Sequence, residues 1–323
     1  MNHLERGKDG YNQFWRYLVN FLSGMGASNI LGIIPLVIVI AYYAVVNKAS
    51  LSDLKIENLS SIGVSHNLNL LLMMFPFFVA LFVTVKMCKS LHKRTVTEII
   101  NGTNTIRWKR YFIGLGTWFV LIAIYQFADM LFIAPKSYVF QFDPGAFVAL
   151  VFISVITIPV QVAYEELFFR GYLTQGIGAA SGSRWLALLV PMTLFALMHS
   201  FNPEVRTYGF WLAMPQYFTF GLIFGLTTLL DDGAELAMGA HTANNLFLCI
   251  FMTNDSSALV TSALFKQQAL DPLKDDIAIA VSMLIMLVVF AYYFKWDFSV
   301  LNRKVTREET ESVPEVAVNI DDK

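Results

Sequence analysis

Charge is what this sequence has least of: 15% of its 323 residues are Asp, Glu, Lys or Arg, against 56% hydrophobic. A water-soluble domain carries about 25% charged residues, and the mean hydropathy of +0.56 points the same way, to a membrane protein. The net charge of −1 gives no global field for nucleic acid, so that partner is not expected. Cysteine is almost missing as well. Cys88 and Cys249 lie in or beside apolar runs, and two thiols make neither a disulfide framework nor a four-thiolate zinc site. The first residues lack the basic, then apolar, then small pattern of a cleaved signal peptide. No H-E-x-x-H helix, no G-x-S-G turn and no Asp pair within an apolar run is present, so the usual zinc, serine and aspartyl peptidase sites are excluded.

What the chain does have is long apolar runs. A spanning helix needs roughly 20 mostly apolar residues, and eight runs qualify: 30–46, 68–85, 111–128, 146–172, 185–200, 210–230, 236–252 and 277–294. The expected fold is an all-α membrane protein, a bundle of about eight transmembrane helices. Upstream, YNQFWRYLVNFL (11–22) sets Tyr11, Phe14, Trp15, Leu18 and Phe21 on one helical face, the pattern of an interfacial amphipathic segment over 1–29. Packing on the end of the bundle is the other reading of that face. The N-terminus, the 86–110 loop, Arg184 and the C-terminal segment together hold sixteen Lys and Arg, and the opposite loops hold six. The positive-inside rule places both termini in the cytoplasm. The tail from 302 to 323 is acidic and low in aromatics, the composition of a disordered segment.

Within the spans ionisable groups are few: Glu165, Glu166 and Arg170 in the fourth, His199 in the fifth and His241 in the seventh. A charge at membrane depth costs about 2.5–3.5 kcal/mol on insertion scales, so such residues are functional by default. Glu166 and Arg170 are four apart with the acid N-terminal, the favourable order for an intrahelical pair, and read as structural support. Glu165 lies about 100° round the helix from Glu166 and is free to face something else. His241 and Asn245 share one face of their helix; Phe195 and His199 share another, with Phe195 a packing shelf for the imidazole. At about 1.5 Å per residue, Glu165 is roughly 10 Å from the cytoplasmic end of a helix that stops at 172, and His199 roughly 20 Å deep. The cluster is expected to open toward the cytoplasm.

An acid, two imidazoles and a carboxamide can hydrolyse a peptide bond. Glu165 would act as general base on a water that His199 also holds, with His241 and Asn245 donating to the oxyanion. A second version has Glu165, His199 and His241 holding Zn²⁺ with an open position for water. The residues themselves leave both open.

Glu-Glu-x-x-x-Arg at 165–170, Phe-x-x-x-His at 195–199 and His-x-x-x-Asn at 241–245, in that order on apolar spans, resemble the three motifs of the CPBP family. That family groups type II CAAX prenyl proteases with bacterial bacteriocin-processing and self-immunity (Abi-like) proteins. The resemblance covers 146–252, which would be the catalytic core, preceded by three spans over 30–145 and followed by a loop and last span over 253–301. It implies that Glu165 and His199 activate water and that His241 and Asn245 stabilise the oxyanion. Both metal-dependent and metal-independent mechanisms are described for members, and Asn245 suits an oxyanion hole better than a zinc shell. The implied protein is an intramembrane endopeptidase of a bacterial inner membrane, acting on a membrane-associated or lipidated peptide. A non-catalytic immunity or scaffold protein, and a transporter or proton relay, are the competing readings.

Overall fold

A computed structural model describes residues 3–48 and 54–306. Twelve α-helices follow in order among the described residues: α1 Phe14–Ala27, α2 Ile34–Val46, α3 His66–Met87, α4 Val96–Asn101, α5 Trp108–Ala128, α6 Pro144–Glu166, α7 Thr174–Ser181, α8 Arg184–Met198, α9 Pro203–Tyr208, α10 Phe210–Asp231, α11 Glu235–Ile250 and α12 Pro272–Phe294. Helices dominate because a backbone in hydrocarbon must satisfy its own hydrogen bonds, and a helix does so within one segment. Each of the eight expected apolar runs contains a helix. Six segments are long and apolar enough to cross a membrane: Phe14–Val46, His66–His92, Trp108–Ile133, Pro144–Ser181, Phe210–Asp231 and Pro272–Phe294. The other two, α8 and α11, are 15 and 16 residues long.

Two departures from the sequence reading matter. The 1–29 segment does not end before a separate first span: α1 runs through a π-helical turn, Ser28–Gly32, into α2 as one 33-residue apolar stretch. Its Phe14, Trp15 and Leu18 face outward, while Tyr17, Asn20 and Gly24 pack inward. The fourth segment also runs on. α6 leads through a seven-residue π-helical stretch, Leu167–Leu173, into α7, so the rod ends at Ser181 rather than 172. Pro159 leaves α6 continuous, and the departure from α geometry comes later, within the charged motif. Downstream, Val305 is buried and its amide donates to the Gly182 carbonyl, so the chain is packed at least that far. The tail expected to be disordered lies, from 307 onward, outside the described residues.

The core sits around α11, whose burial explains why a run carrying His241, Thr242 and Asn244 forms a helix here at all. All three polar residues are buried, walled by α5, α6 and α10 instead of lipid. Close approach to α5 depends on two glycines: Gly114 faces the Leu236 carbonyl and Gly239 faces the Tyr111 carbonyl. In the same way Gly221 of α10 lies over Met192 and Gly225 over Leu188, both on α8. This is small-residue packing of membrane helices. One end of α11 is clasped by charge. Arg107 reaches Glu235 at 2.5 Å and Asp231 at 3.3 Å, and Arg110 reaches Asp231 at 3.0 Å. At the other end three short strands, β1 Tyr138–Phe140, β2 Met252–Thr253 and β3 Phe265–Gln267, form a sheet in the order β1-β3-β2.

The α5–α11 contact yields a test. A methyl group at Gly239 would press on backbone that cannot yield, so Gly239→Ala should lower stability by about 1–3 kcal/mol. Gly116→Ala, where a Cβ meets nothing within 4 Å, should not. Thermal unfolding of the two variants in detergent compares them directly.

Candidate active site

The end of α6 delivers three polar side chains: Gln161 and, one turn on, the adjacent Glu165 and Glu166. Gln161 Nε2 donates to Glu165 Oε1 at 2.7 Å, and Gln161 Oε1 accepts from Asn245 Nδ2 at 2.9 Å. One amide thus ties the acid of α6 to the carboxamide of α11. Glu165 Oε2 is buried, has no hydrogen-bond partner among the described residues, and lies 3.7 Å from His241 Nε2. Asn245 Nδ2 is 3.3 Å from the same imidazole nitrogen. Its own Oδ1 accepts from Asn244 Nδ2 at 3.0 Å, and Asn244 Oδ1 accepts from Trp118 Nε1 at 3.2 Å. The carboxamide is held from two sides.

Glu166 does more than pair with Arg170. Its Oε1 accepts from Arg170 Nη1 at 3.0 Å, as the i,i+4 spacing predicts, and also from His241 Nδ1 at 2.8 Å. A carboxylate there fixes the proton of His241 on Nδ1 and turns Nε2 toward Glu165 and Asn245. The π-helical stretch carries Arg170 into the core, where its guanidinium lies 4.1 Å over the Phe195 ring and 5.6 Å from that of Phe224. Phe195 is therefore shared: it touches Arg170, lies 4.7 Å from the His199 ring and 6.2 Å, edge-on, from His241.

His199 is the residue that closes α8. Its Nδ1 donates to the Phe195 carbonyl at 2.7 Å, which leaves Nε2 without a hydrogen bond among the described residues. The ring stacks on Tyr217 at 4.3 Å and 23°. Tyr217 is held in turn, its hydroxyl donating to Glu204 and accepting from Asn202 Nδ2 at 2.9 Å. The depth mismatch between His199 and Glu165 disappears because the α6–α7 rod runs to Ser181, which sets Glu165 about 24 Å from that end at 1.5 Å per residue.

Glu165, His199, His241 and Asn245 all line one cavity of about 420 Å³. Its direction corrects the sequence reading. Much of the rest of the wall comes from 202–208, 252–259 and 267–276 and from the ends of α5 and α12 beside them, at the end of the bundle opposite the termini. α3 and α10 complete it with Met73, Met74, Phe77 and Tyr217 among others. The zinc version does not fit this arrangement: among the described residues no group of three His, Cys, Asp or Glu side chains could hold a metal ion. Glu166 holds Nδ1 of His241 and Gln161 holds Oε1 of Glu165. Sequence reasoning missed Gln161, Asn244, Tyr217 and Asn202. Gln161 had a signal, an amide four residues before Glu165 in an otherwise apolar run; the others had none that spacing reveals.

A helical membrane bundle that converges an acid, two oriented imidazoles and an anchored carboxamide on one cavity has the makings of an intramembrane hydrolase. Residues 144–247, which span α6 to α11, match the family model described as type II CAAX prenyl endopeptidase Rce1-like. The chain is also similar to the uncharacterized protein YyaK of Bacillus subtilis (strain 168), 32% identical over 258 residues, 80% of this chain and 84% of that one. No solved structure matches significantly. The chain belongs to the Rce1-like, type II CAAX endopeptidase family of intramembrane proteases, and is a multi-pass integral membrane protein.

The Glu166–Arg170 pair is buried almost completely, Arg170 being 2% exposed. Arg170→Ala leaves an uncompensated carboxylate and should cost about 3–5 kcal/mol, while the double change Glu166→Gln with Arg170→Met should recover part of that loss. Unfolding in detergent reads both.

Proposed function

We propose that the chain is a metal-independent endopeptidase that cuts a membrane-associated or lipidated peptide, with Glu165 as general base. The observation that carries this reading is Glu165, which lines the cavity and whose buried Oε2 has no hydrogen-bond partner among the described residues. A water placed against it and against Nε2 of His199 would have two acceptors for its protons. As the water oxygen attacks the peptide carbonyl carbon, Glu165 takes one proton; when the tetrahedral intermediate collapses and the C–N bond breaks, that proton passes to the leaving amine. Base catalysis of this kind contributes about 10²–10⁴-fold.

The oxyanion falls to Asn245 and His241. Asn245 Nδ2, which donates to Gln161 Oε1, lies 3.3 Å from His241 Nε2 and would turn one hydrogen to the oxyanion. Since Nδ1 of His241 bonds Glu166, donation from Nε2 requires the imidazolium, with the Glu165 carboxylate 3.7 Å from that nitrogen. His199, stacked on Tyr217 and with the tilted Phe195 ring 4.7 Å away, contributes an acceptor of fixed orientation rather than a donor.

The test is cleavage in proteoliposomes of a panel of membrane-anchored peptides, some with prenylated CAAX ends and some without, with products read by mass spectrometry. Glu165→Gln should abolish turnover, and Asn245→Ala should lower kcat by about 10²–10³-fold, the usual loss for one oxyanion donor. Full turnover by Glu165→Gln would remove Glu165 as the base, and no cleavage by the unaltered chain would leave the scaffold or immunity reading in its place.

A further inference from the structure

The two ends of this bundle differ in charge, and the cavity belongs to only one of them. The basic segments meet at one end. Arg6 Nε donates to the Gly102 carbonyl, Arg16 Nη1 to the Leu91 carbonyl and Lys8 Nζ to the Val305 carbonyl. Arg184 pairs with Glu5, and Ser183 forms a β-bridge with Lys304. Those contacts join the N-terminal segment, the 88–107 region, the α7–α8 turn and the C-terminal segment into one face. The positive-inside rule makes that face cytoplasmic. At the opposite end lie β1, β2 and β3 with six Lys and Arg, two of which are paired, Lys266 with Asp255 at 2.8 Å and Lys274 with Asp129 at 2.7 Å.

No residue of the basic face lines the cavity. Its wall rises from Glu165, His241 and Phe195 to β2, the 254–259 turn, Gln267 and α9. Beneath, toward the basic face, the way is shut by Arg170 lying against Phe195 and Phe224, with the Glu166 carboxylate on it. A polypeptide arriving from the cytoplasm would have to break that buried ion pair; one arriving from the other side meets the half-exposed loop residues Asn254, Ser256 and Ser257.

We infer that the cavity is entered from the non-cytoplasmic face, so that the substrate is a peptide presented there: a translocated segment of a secreted or membrane-anchored protein. This rests on the peptidase reading for the word substrate and on charge and cavity geometry for the side. It sets cytoplasmic C-terminal tails aside, since their chain ends lie on the closed face. The reaction that supplies such a substrate is export or membrane insertion of a precursor.

Single cysteines decide the side. The two native thiols are buried and serve as the unlabelled background. Asp255, 69% exposed between cavity-lining Asn254 and Ser256, marks the mouth, and exposed Ser181 marks the basic face. With a membrane-impermeant maleimide, Asp255→Cys should label in intact spheroplasts and be protected in everted vesicles, and Ser181→Cys should do the reverse. Labelling of Asp255→Cys from the cytoplasmic side, from both sides equally, or from neither overturns the inference. Labelling reads the side whether or not the chain cleaves anything, so a protein that labels as expected but cleaves no peptide would strike the peptidase reading alone.

Discussion

A single carboxylate oxygen holds the site together. Glu166 Oε1 accepts from Arg170 of its own rod and from His241 of α11. In a low-dielectric interior an isolated charge costs several kcal/mol, so Arg170 is inserted only because Glu166 accompanies it. His241, in turn, faces Glu165 only because its other nitrogen is engaged. The pair is thus structural in its energetics and directional in its consequence, since it sets which edge of the imidazole meets the cavity.

The π-helical stretch is the device that makes the geometry possible. From Leu167 to Leu173 the turn is wider than in an α-helix, which brings residues four apart closer to the same line, and such bulges cluster at functional sites. The wider turn also leaves backbone acceptors to be satisfied. Thr174 Oγ1 donates to the Phe169 carbonyl at 2.9 Å and takes up one of them. The adjoining aromatic faces of Phe195 and Phe224 do for the guanidinium what water would do outside, a cation–π contribution of about 2 kcal/mol when desolvated. Sequence, local backbone and electrostatics agree at this point, and the site follows.

How far the primary structure reveals this depends on the range of each contact. Glu165, Glu166, Arg170, His199, His241 and Asn245 stand out because ionisable or amide groups in apolar runs are expensive. Helical spacing then predicts the contacts inside a helix, Glu166 with Arg170 and Phe195 with His199, and both occur. It is silent between helices. The bond from His241 to Glu166 was invisible because one carboxylate can satisfy two donors, and spacing finds only the donor on its own helix. Tyr217 and Asn202 were invisible for a similar reason: the Tyr217 ring reaches His199 from α10, and Asn202 meets it across the turn after α8. Helix limits inferred from hydropathy also stop where polar residues begin. The buried rod continues through Thr174 and Gln175 to Ser181, and that is why hydropathy sets the cavity at the same end as the termini while the structure sets the two at opposite ends.

Glu165, His199 and His241 each have one polar atom tied and another on the shared space, while Asn245 is tied at both ends, its Nδ2 donating to Gln161 Oε1. Gln161 holds Oε1 of Glu165 and leaves Oε2; the Phe195 carbonyl holds Nδ1 of His199 and leaves Nε2; Glu166 holds Nδ1 of His241; Asn244 holds Oδ1 of Asn245. Groups anchored in this way need no reorganisation when charge develops beside them, which is where electrostatic stabilisation gets its size. The anchors themselves come from α5, α6, α8 and α11, so orientation is distributed over rigid elements rather than loops. The far wall is fixed as well: Thr261 Oγ1 donates to the Cys249 carbonyl at 2.7 Å, and β3 pairs with both β1 and β2. A chamber with an ion-paired floor and a hydrogen-bonded rim keeps its shape without a bound peptide, and specificity then rests on which chain can reach the mouth.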